Sequence, residues 1–359
     1  MKLDQTRFHK LKRRFYKHLW FFRPFSYLLI LSLTTFLLVW STPKLAPFFK
    51  RFLQGPQMIV SLINPSIQKL DNFQDRTNLL LLGIAGGDHP GADLTDSIML
   101  FSINLKTADT VLISLPRDIW VESLQAKLNT AYHFGEDKQP GSGLILAKSA
   151  VSEIINQPVH YGVVLNFTGF EKAIDITGGL NLDVPHSFVD KKYPIPGKET
   201  AEPESDRYET LEFLAGPQHM DGPTALKYVR SRHAEGEEGT DYARAQRQQR
   251  VILAFKDKLL STKTLLNPSR LKALNKTFKA SVTTDIPSTS YPDLFKLALR
   301  IDQANIRTGI IDQGSQSEDI PPLLYSPPAS LYGQWVLLPV NNDWQAVYRH
   351  VEEILYQNQ

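Results

Sequence analysis

Residues 25–40 read FSYLLILSLTTFLLVW, an uncharged run preceded by eight basic side chains at Lys2, Arg7, Lys10, Lys12, Arg13, Arg14, Lys17 and Arg23. No other feature limits the fold so strongly. At 1.5 Å rise per residue, roughly 17–20 residues cross the hydrocarbon core of a bilayer, so a helix over 25–42 is just long enough. Trp20, Phe21 and Phe22 on the basic side and Trp40 on the other fit interfacial belts. The basic flank stays in the cytoplasm and places everything after Pro43 outside. A cleaved signal peptide is the alternative, but no clear small-x-small site follows; the nearest, Ser41 to Ala46, contains Pro43. The expected organisation is a basic cytoplasmic tail (1–24), one transmembrane helix (25–42), a juxtamembrane spacer (43–76) and an extracytoplasmic domain (77–359). The spacer has room for a short amphipathic helix around Phe48 to Ile63.

The charge balance sharpens this reading. The chain carries +3, and residues 1–23, with eight Lys/Arg against one Asp, account for +7, which leaves the body at −4. A net acidic body without an aromatic platform beside its arginines does not fit nucleic-acid binding. The chain has no cysteine, which excludes disulfides, thiol catalysis and cysteine zinc sites.

The body alternates short apolar runs with helical patterns. Asn78 to Ile84, Ser97 to Ile103, Val111 to Leu115, Tyr161 to Leu165 and Leu180 to Val184 read as strands. Gly143 to Ile155, Phe170 to Ile176, Pro223 to Tyr228 and Tyr242 to Leu260 read as helices. Further helices are expected near 267–280, 291–301 and 344–355, and strands at 307–311 and 335–339. Lys192 to Tyr208, rich in Pro, Lys and Glu, reads as an exposed loop. Interleaving of this kind implies an α/β fold with a central mixed β-sheet flanked by helices, an α-β-α arrangement.

Three groups of residues carry chemistry. In the first, Arg230 and Arg232 are two apart and share one side of an extended segment. Asp241, Arg244, Arg247 and Gln248 follow, the last three on neighbouring turns at a helix N-terminus capped by Asp241 or Thr240. Guanidinium groups converging on a positive helix end form a receptor for pyrophosphate. A solvated face, with Glu235, Glu237, Glu238 and Asp241 pairing locally, is the alternative. The second group is SLPRD (114–118), where Arg117 follows a buried strand, the place where open α/β sheets collect ligands; a capping Arg–Asp pair in the loop is the alternative. The third is the acidic loop holding Asp88, Asp93 and Asp96, whose hard oxygens suit Mg²⁺ shared with substrate phosphates. The histidines show no zinc spacing, and neither a P-loop nor a nucleophile elbow is present.

In this order the segments LLLLGI (79–84), LTDSIMLFSIN (94–104), VLISLPRDIWV (111–121), KLNTAY (127–132), VLNFTGF (164–170), DITGGLNLDV (175–184), LAGPQHMDGPTALKYVRSR (214–232) and DYARAQRQQRVILAF (241–255) resemble the LytR-CpsA-Psr family. The resemblance implies a membrane-anchored, magnesium-dependent phosphotransferase of cell-wall assembly. Such enzymes move a glycopolymer, such as teichoic acid or capsular polysaccharide, from a polyprenyl-pyrophosphate carrier to peptidoglycan, with the lipid tail in an apolar tunnel. By position it makes Arg117, Arg230, Arg232, Arg244 and Arg247 pyrophosphate-binding, with Gln248 beside them. Asp96 matches a magnesium-associated aspartate and Asp241 the aspartate leading the helix motif; Asp96, Asp241, Arg117 and Arg244 are the expected catalytic set. Ala85 stands where the family often has Asp, so Asp88 or Asp93 is expected to supply the second carboxylate. A pyrophosphatase using water as acceptor, and a non-catalytic lipid-glycan-binding regulator, are the rival readings.

Overall fold

The computed structural model describes residues 70–87, 91–198, 200–302, 306–314 and 320–356. The basic tail, the apolar run at 25–42 and almost all of the spacer therefore lie outside the described residues. Among the described residues no helix is long and apolar enough to cross a membrane.

The chain opens with a meander: β1 (Arg76–Ile84), β2 (Thr95–Asn104) and β3 (Thr110–Leu115), paired antiparallel with Leu80 opposite Leu100 and Leu100 opposite Ile113. The β2–β3 turn closes because Asn104 Oδ1 accepts the N–H groups of Lys106 and Thr107 at 2.9 and 3.0 Å. A small hairpin, β4 (Trp120–Val121) with β5 (Ala126–Lys127), leads into helices α1 (Ala131–Lys138) and α2 (Gly143–Ile155). These return the chain to β6 (Tyr161–Asn166), parallel to β1. Helix α3 (Phe167–Thr177) follows, then β7 (Leu180–Val184), the β8 (Phe188–Pro194)–β9 (Tyr208–Phe213) hairpin, and β10 (Gly216–Met220), which pairs with β7. Helices α4 (Gly222–Arg230), α5 (Asp241–Leu260), α6 (Thr262–Leu265) and α7 (Pro268–Ser281) precede β11 (Val282–Thr284). The chain ends with α8 (Tyr291–Arg300), β12 (Ile306–Ile310), the short pair β13 (Leu324–Tyr325) and β14 (Leu338–Pro339), and α9 (Trp344–Tyr356).

The main sheet runs β11-β6-β1-β2-β3-β12 and is mixed, as expected. Strands β1, β3, β6 and β12 point the same way. Their carboxyl ends therefore share one edge, while β2 begins there. Alternation along the strands assigns the faces. Leu80, Leu82, Ile98, Leu100, Ile113 and Leu115 form the main core with Ala147, Val151 and Ile154 of α2 and Val347, Val351 and Leu355 of α9. The opposite face carries Leu81, Met99 and Leu165 toward α3, α4 and α5. There Gln249, nearly fully buried, donates to Ser114 Oγ at 2.9 Å and to the Gly309 carbonyl at 3.1 Å, tying α5 across β3 and β12.

The expected loop at 192–208 is corrected. The β8 strand extends to Pro194 and β9 begins at Tyr208, so only the intervening residues form the connection. Phe188 and Phe213 of this hairpin stack against Tyr228 of α4, the centre of a second apolar cluster. Pairing away from the main sheet leaves much of the hairpin solvated, and its polar composition follows.

Candidate active site

At the carboxyl edge of the sheet, Arg117 emerges two residues after β3. Its guanidinium is held between Asp96, at the start of β2, and Asp118, whose Oδ2 accepts from Nε at 3.3 Å. The other oxygen of Asp118 accepts from Lys127 Nζ at 2.9 Å. Lys127 thus positions Asp118, and Asp118, almost fully buried, positions Arg117. Burial works against the charge of Arg117, but Asp96 and Asp118 outweigh it and raise its pKa above the ordinary arginine value.

The R-x-R segment is set from the opposite side. Asp190 of β8 is fully buried and accepts from Ser231 Oγ at 2.7 Å and from the backbone N–H groups of Arg232 and His233 at 3.0 and 3.2 Å. Arg230 and Arg232 both line the pocket, which Asp190 and His233 border as well. Burial opposes the Asp190 charge, yet these hydrogen bonds hold its pKa below the usual carboxylate value. Arg230 lies 4.7 Å over the Phe167 ring and donates to Tyr193 Oη at 3.4 Å.

Helix α5 supplies the third wall. Thr240, not Asp241, is its cap: Thr240 Oγ1 accepts from the Ala243 N–H at 3.1 Å. Asp241 is left to receive Arg244 at 2.7 Å and, more loosely, Arg232 at 3.7 Å. Arg244 has its pKa lowered to about 10, first by burial and then by Arg232 and Arg117, with Asp241 only partly compensating. Burial and Arg117 also lower that of Arg232. Like charges gathered out of water in this way favour an anion among them.

Arg117, Arg230, Arg232 and Arg244 are thus brought together with Asp96 and Gln248 around a pocket of about 730 Å³. It opens into an apolar crevice of about 500 Å³ lined by Leu81, Met99, Leu165, Phe170, Leu226 and Ile252; Ser97, Phe167, Val229 and Gln248 belong to both. Asp96 and Asp241 also face a smaller cleft beside Arg117 and Arg244.

Arg247 does not line this pocket. Its side chain is fully buried and donates to the Tyr228, Ser231 and Glu238 carbonyls at 3.2, 2.9 and 2.9 Å and to the Glu238 carboxylate at 2.7 Å. At 3.6 residues per turn, Gln248 lies about 40° from Arg244 around the helix while Arg247 lies about 60° the other way, which turns it inward. Arg247 pairs with Glu238, but inside the protein and not on the solvated face of the alternative reading.

The acidic loop is divided. Asp88 lies outside the described residues. Asp93 pairs with His133 of α1 at 2.8 Å and does not line the arginine pocket. Among the described residues no three His, Asp or Glu side chains converge as metal ligands. The donors do not make an all-protein metal cage. One or two carboxylates, Asp96 and Asp241, beside a phosphate-sized polar pocket suit the shared mode in which Mg²⁺ takes its remaining oxygens from substrate and water. Asp190, Phe167 and Tyr193 are members that sequence reasoning did not single out, and Asp118 entered it only as the last residue of SLPRD. It adjoins the SLPRD arginine and had a local signal.

The LytR_cpsA_psr family model matches residues 57–319. The chain belongs to that family. Among curated relatives, a polyisoprenyl-teichoic acid–peptidoglycan teichoic acid transferase, TagU of Enterococcus faecalis, is 30% identical over 64% of this chain and 66% of its own length. TagU of Oceanobacillus iheyensis is 31% identical over 52% and 53% respectively. The chain thus spans slightly under two thirds of the first relative and about half of the second. The crystal structure of TagV from B. subtilis superposes with a TM-score of 0.54 at 22% identity, covering 79% of this chain and 98% of that one, and shares the fold.

Proposed function

We propose that this chain transfers a glycopolymer from a polyprenyl-pyrophosphate carrier to peptidoglycan, as a membrane-anchored, extracytoplasmic phosphotransferase. The observation that carries the reading is the junction of a four-arginine pocket with an apolar crevice. An amphiphile with a strongly anionic head and a long hydrocarbon tail matches both parts at once, and neither part alone would select it. The transferase names of the curated relatives support the same substrate class.

In this reading Arg117, Arg230, Arg232 and Arg244 hold the pyrophosphate and the crevice takes the first isoprene units. A peptidoglycan hydroxyl attacks the sugar-proximal phosphorus. A new P–O bond forms, the bond to the bridging oxygen breaks, and polyprenyl phosphate leaves with charge stabilised by the guanidinium groups. Asp96, at the pocket wall, and Asp241, in the smaller cleft beside it, orient the hydroxyl and receive its proton. Both are also the residues that would hold Mg²⁺, which when bound adds positive charge beside the phosphates. The pyrophosphate bond supplies the driving force, so no nucleotide is required.

The test reconstitutes the full chain in detergent with a polyprenyl-pyrophosphate glycan, peptidoglycan fragments and Mg²⁺, with products read by mass spectrometry. A phosphodiester-linked adduct that disappears in Arg117→Ala, Arg244→Ala and Asp96→Ala supports the transferase. Free sugar phosphate alone would establish the pyrophosphatase instead, and binding without turnover the regulatory lipid-glycan receptor.

A further inference from the structure

From Lys258 to Thr284 the chain contains six basic residues, Lys258, Lys263, Arg270, Lys272, Lys276 and Lys279, and no acidic one. This stretch stands out in a body that is otherwise net acidic. It covers α6 and α7, and α7 has no fully buried residue. Burial around α7 is nevertheless ordered. Arg270, Ala273, Leu274, Thr277 and Ser281, spaced as one helix face, are half-buried. At the two ends of that face α7 meets α3, where Gly169 lies against Ser281 and Gly178 against Arg270. Leu271 and Phe278, seven residues apart and 41% and 42% exposed, lie on one flank of α7, about 90° round from the half-buried face. Lys272, Lys276 and Lys279 form the exposed stripe beside them. At the start of the same segment Leu266 is 81% exposed, the highest value among the large apolar side chains described. On the adjacent α3, Asp175 is turned away, accepting from the Gly222 N–H at 2.7 Å.

An exposed apolar flank beside a lysine stripe, continued by the exposed Leu266, suits a helix whose side rests in a lipid–water interface. The rings and methyls enter the acyl boundary and the ammonium groups meet anionic headgroups. We infer that α6 and α7 form a bilayer-resting surface for anionic lipid, separate from the arginine pocket. Its position suits that role. Helix α5 carries the arginines at its N-terminus, lines the crevice at Val251 and Ile252, and ends beside the Ile301 carbonyl, to which Lys256 donates at 3.3 Å. The α6–α7 segment therefore begins at the end of α5 remote from the charged pocket. Leu70, the first described residue, is buried with Ile103, Tyr161 and Leu297 at the edge of the sheet opposite the arginines. Helices α3 and α5 wall the crevice, so a bilayer under α6 and α7 sits next to the cavity that takes a hydrocarbon chain. The surface stands independently of the transfer chemistry.

The chain has no cysteine, so Leu266→Cys, Phe278→Cys and, as a control on the far face of the sheet, Ile145→Cys each introduce one nitroxide label. The full chain is reconstituted in phosphatidylglycerol vesicles and in phosphatidylcholine vesicles. Collision with oxygen and with a water-soluble nickel chelate is then compared. The expected result is lipid exposure at 266 and 278 in phosphatidylglycerol only, with 145 aqueous in both. Combining Lys263→Gln, Lys272→Gln and Lys276→Gln with the label at 266 should return it to water. Aqueous behaviour at all three labels in phosphatidylglycerol would overturn the inference. So would equal insertion in both lipids, or protection of 266 by soluble polyphosphate to the same extent, which would mark a polyanion-binding surface. All substitutions fall on exposed side chains, and the readout does not depend on activity.

Discussion

Replacing Arg247 with Ala tests the division of the arginines most directly. The side chain closes the C-terminus of α4 onto α5 through the Tyr228 and Ser231 carbonyls, and it pairs with Glu238 while covering the Phe188 ring at 4.7 Å. Its removal leaves a largely buried carboxylate without its cation and buried carbonyls without a donor. Breaking one side of such a pair costs about 3–5 kcal/mol. For domains of 150–250 residues, about 2–4 °C of melting temperature follows each kcal/mol, which sets the expected fall on the order of 6–20 °C. Arg247→Lys restores charge but not the planar fork, and recovers only part of the loss. Arg244→Met provides the contrast. That guanidinium is held charged at a cost among Arg117 and Arg232, so its loss should leave the melting temperature unchanged or higher while abolishing anion binding. Thermal and urea melts of the full chain, run beside a pyrophosphate-binding assay, separate the two. An Arg247→Ala protein that melts with wild type yet fails to bind pyrophosphate would refute the structural assignment and return Arg247 to the ligand site.

Inorganic pyrophosphate should stabilise the wild type, by about 2.7 kcal/mol at a hundredfold excess over Kd, and leave Arg244→Met unmoved in the same melt. The folded pKa of Arg244, about 10, lies below the ordinary arginine value, so between the two the unfolded chain holds more protons and this group's contribution to stability rises with pH. The melting advantage of Arg244→Met should accordingly shrink as pH climbs above 10, and a constant difference would count against the like-charge reading. Asp190→Asn should cost about 1.5–3 kcal/mol near neutral pH. Because the folded pKa of Asp190 is lowered from 3.8, that stabilisation should persist above this value and vanish as acid titrates the native carboxylate, as chevron or melt data at stepped pH would show. Leu81→Trp fills the crevice without touching an arginine. Binding of a long polyprenyl pyrophosphate should weaken while inorganic pyrophosphate binds as before, and equal loss of both would mean the crevice does not hold the tail.

Elements whose burial is one-sided or complete were legible in the sequence because burial writes a period into the residues. Helix α2 falls on 143–155 and β7 on 180–184, as their periodicity indicates. The β8–β9 hairpin carries Lys, Glu and Pro because it pairs outside the main sheet, and α1 has the weakly amphipathic sequence AYHFGEDK; neither leaves a clear period. In the site, the strand-end arginine was readable as local geometry, whereas Arg230 closes α4 and does not lie in the extended segment that the R-x-R spacing suggested. The partner Asp118 adjoins Arg117 in the SLPRD motif, whereas Asp190 acts across the fold, forty-one residues from Ser231, and no spacing rule reaches that far.

Arg244 and Arg247 show what sequence pattern leaves undecided. They are one helical turn apart, identical in chemistry, and both at the mouth of the same motif. What separates them is the acceptor each one meets. Arg247 finds carbonyls and a glutamate inside the protein, so its charge is neutralised on folding and is spent on holding α4 and α5 together. Arg244 finds one shared aspartate and two other guanidinium groups, so folding leaves a surplus of positive charge in a half-dry pocket. That surplus costs stability until an anion enters, and the cost relieved on binding is available to favour whichever state of the bound phosphate carries most negative charge near the arginines. In a phosphoryl transfer that state is the departing polyprenyl phosphate. The same arrangement that weakens the protein without ligand is therefore the one that distinguishes an anion-binding pocket from a merely basic surface.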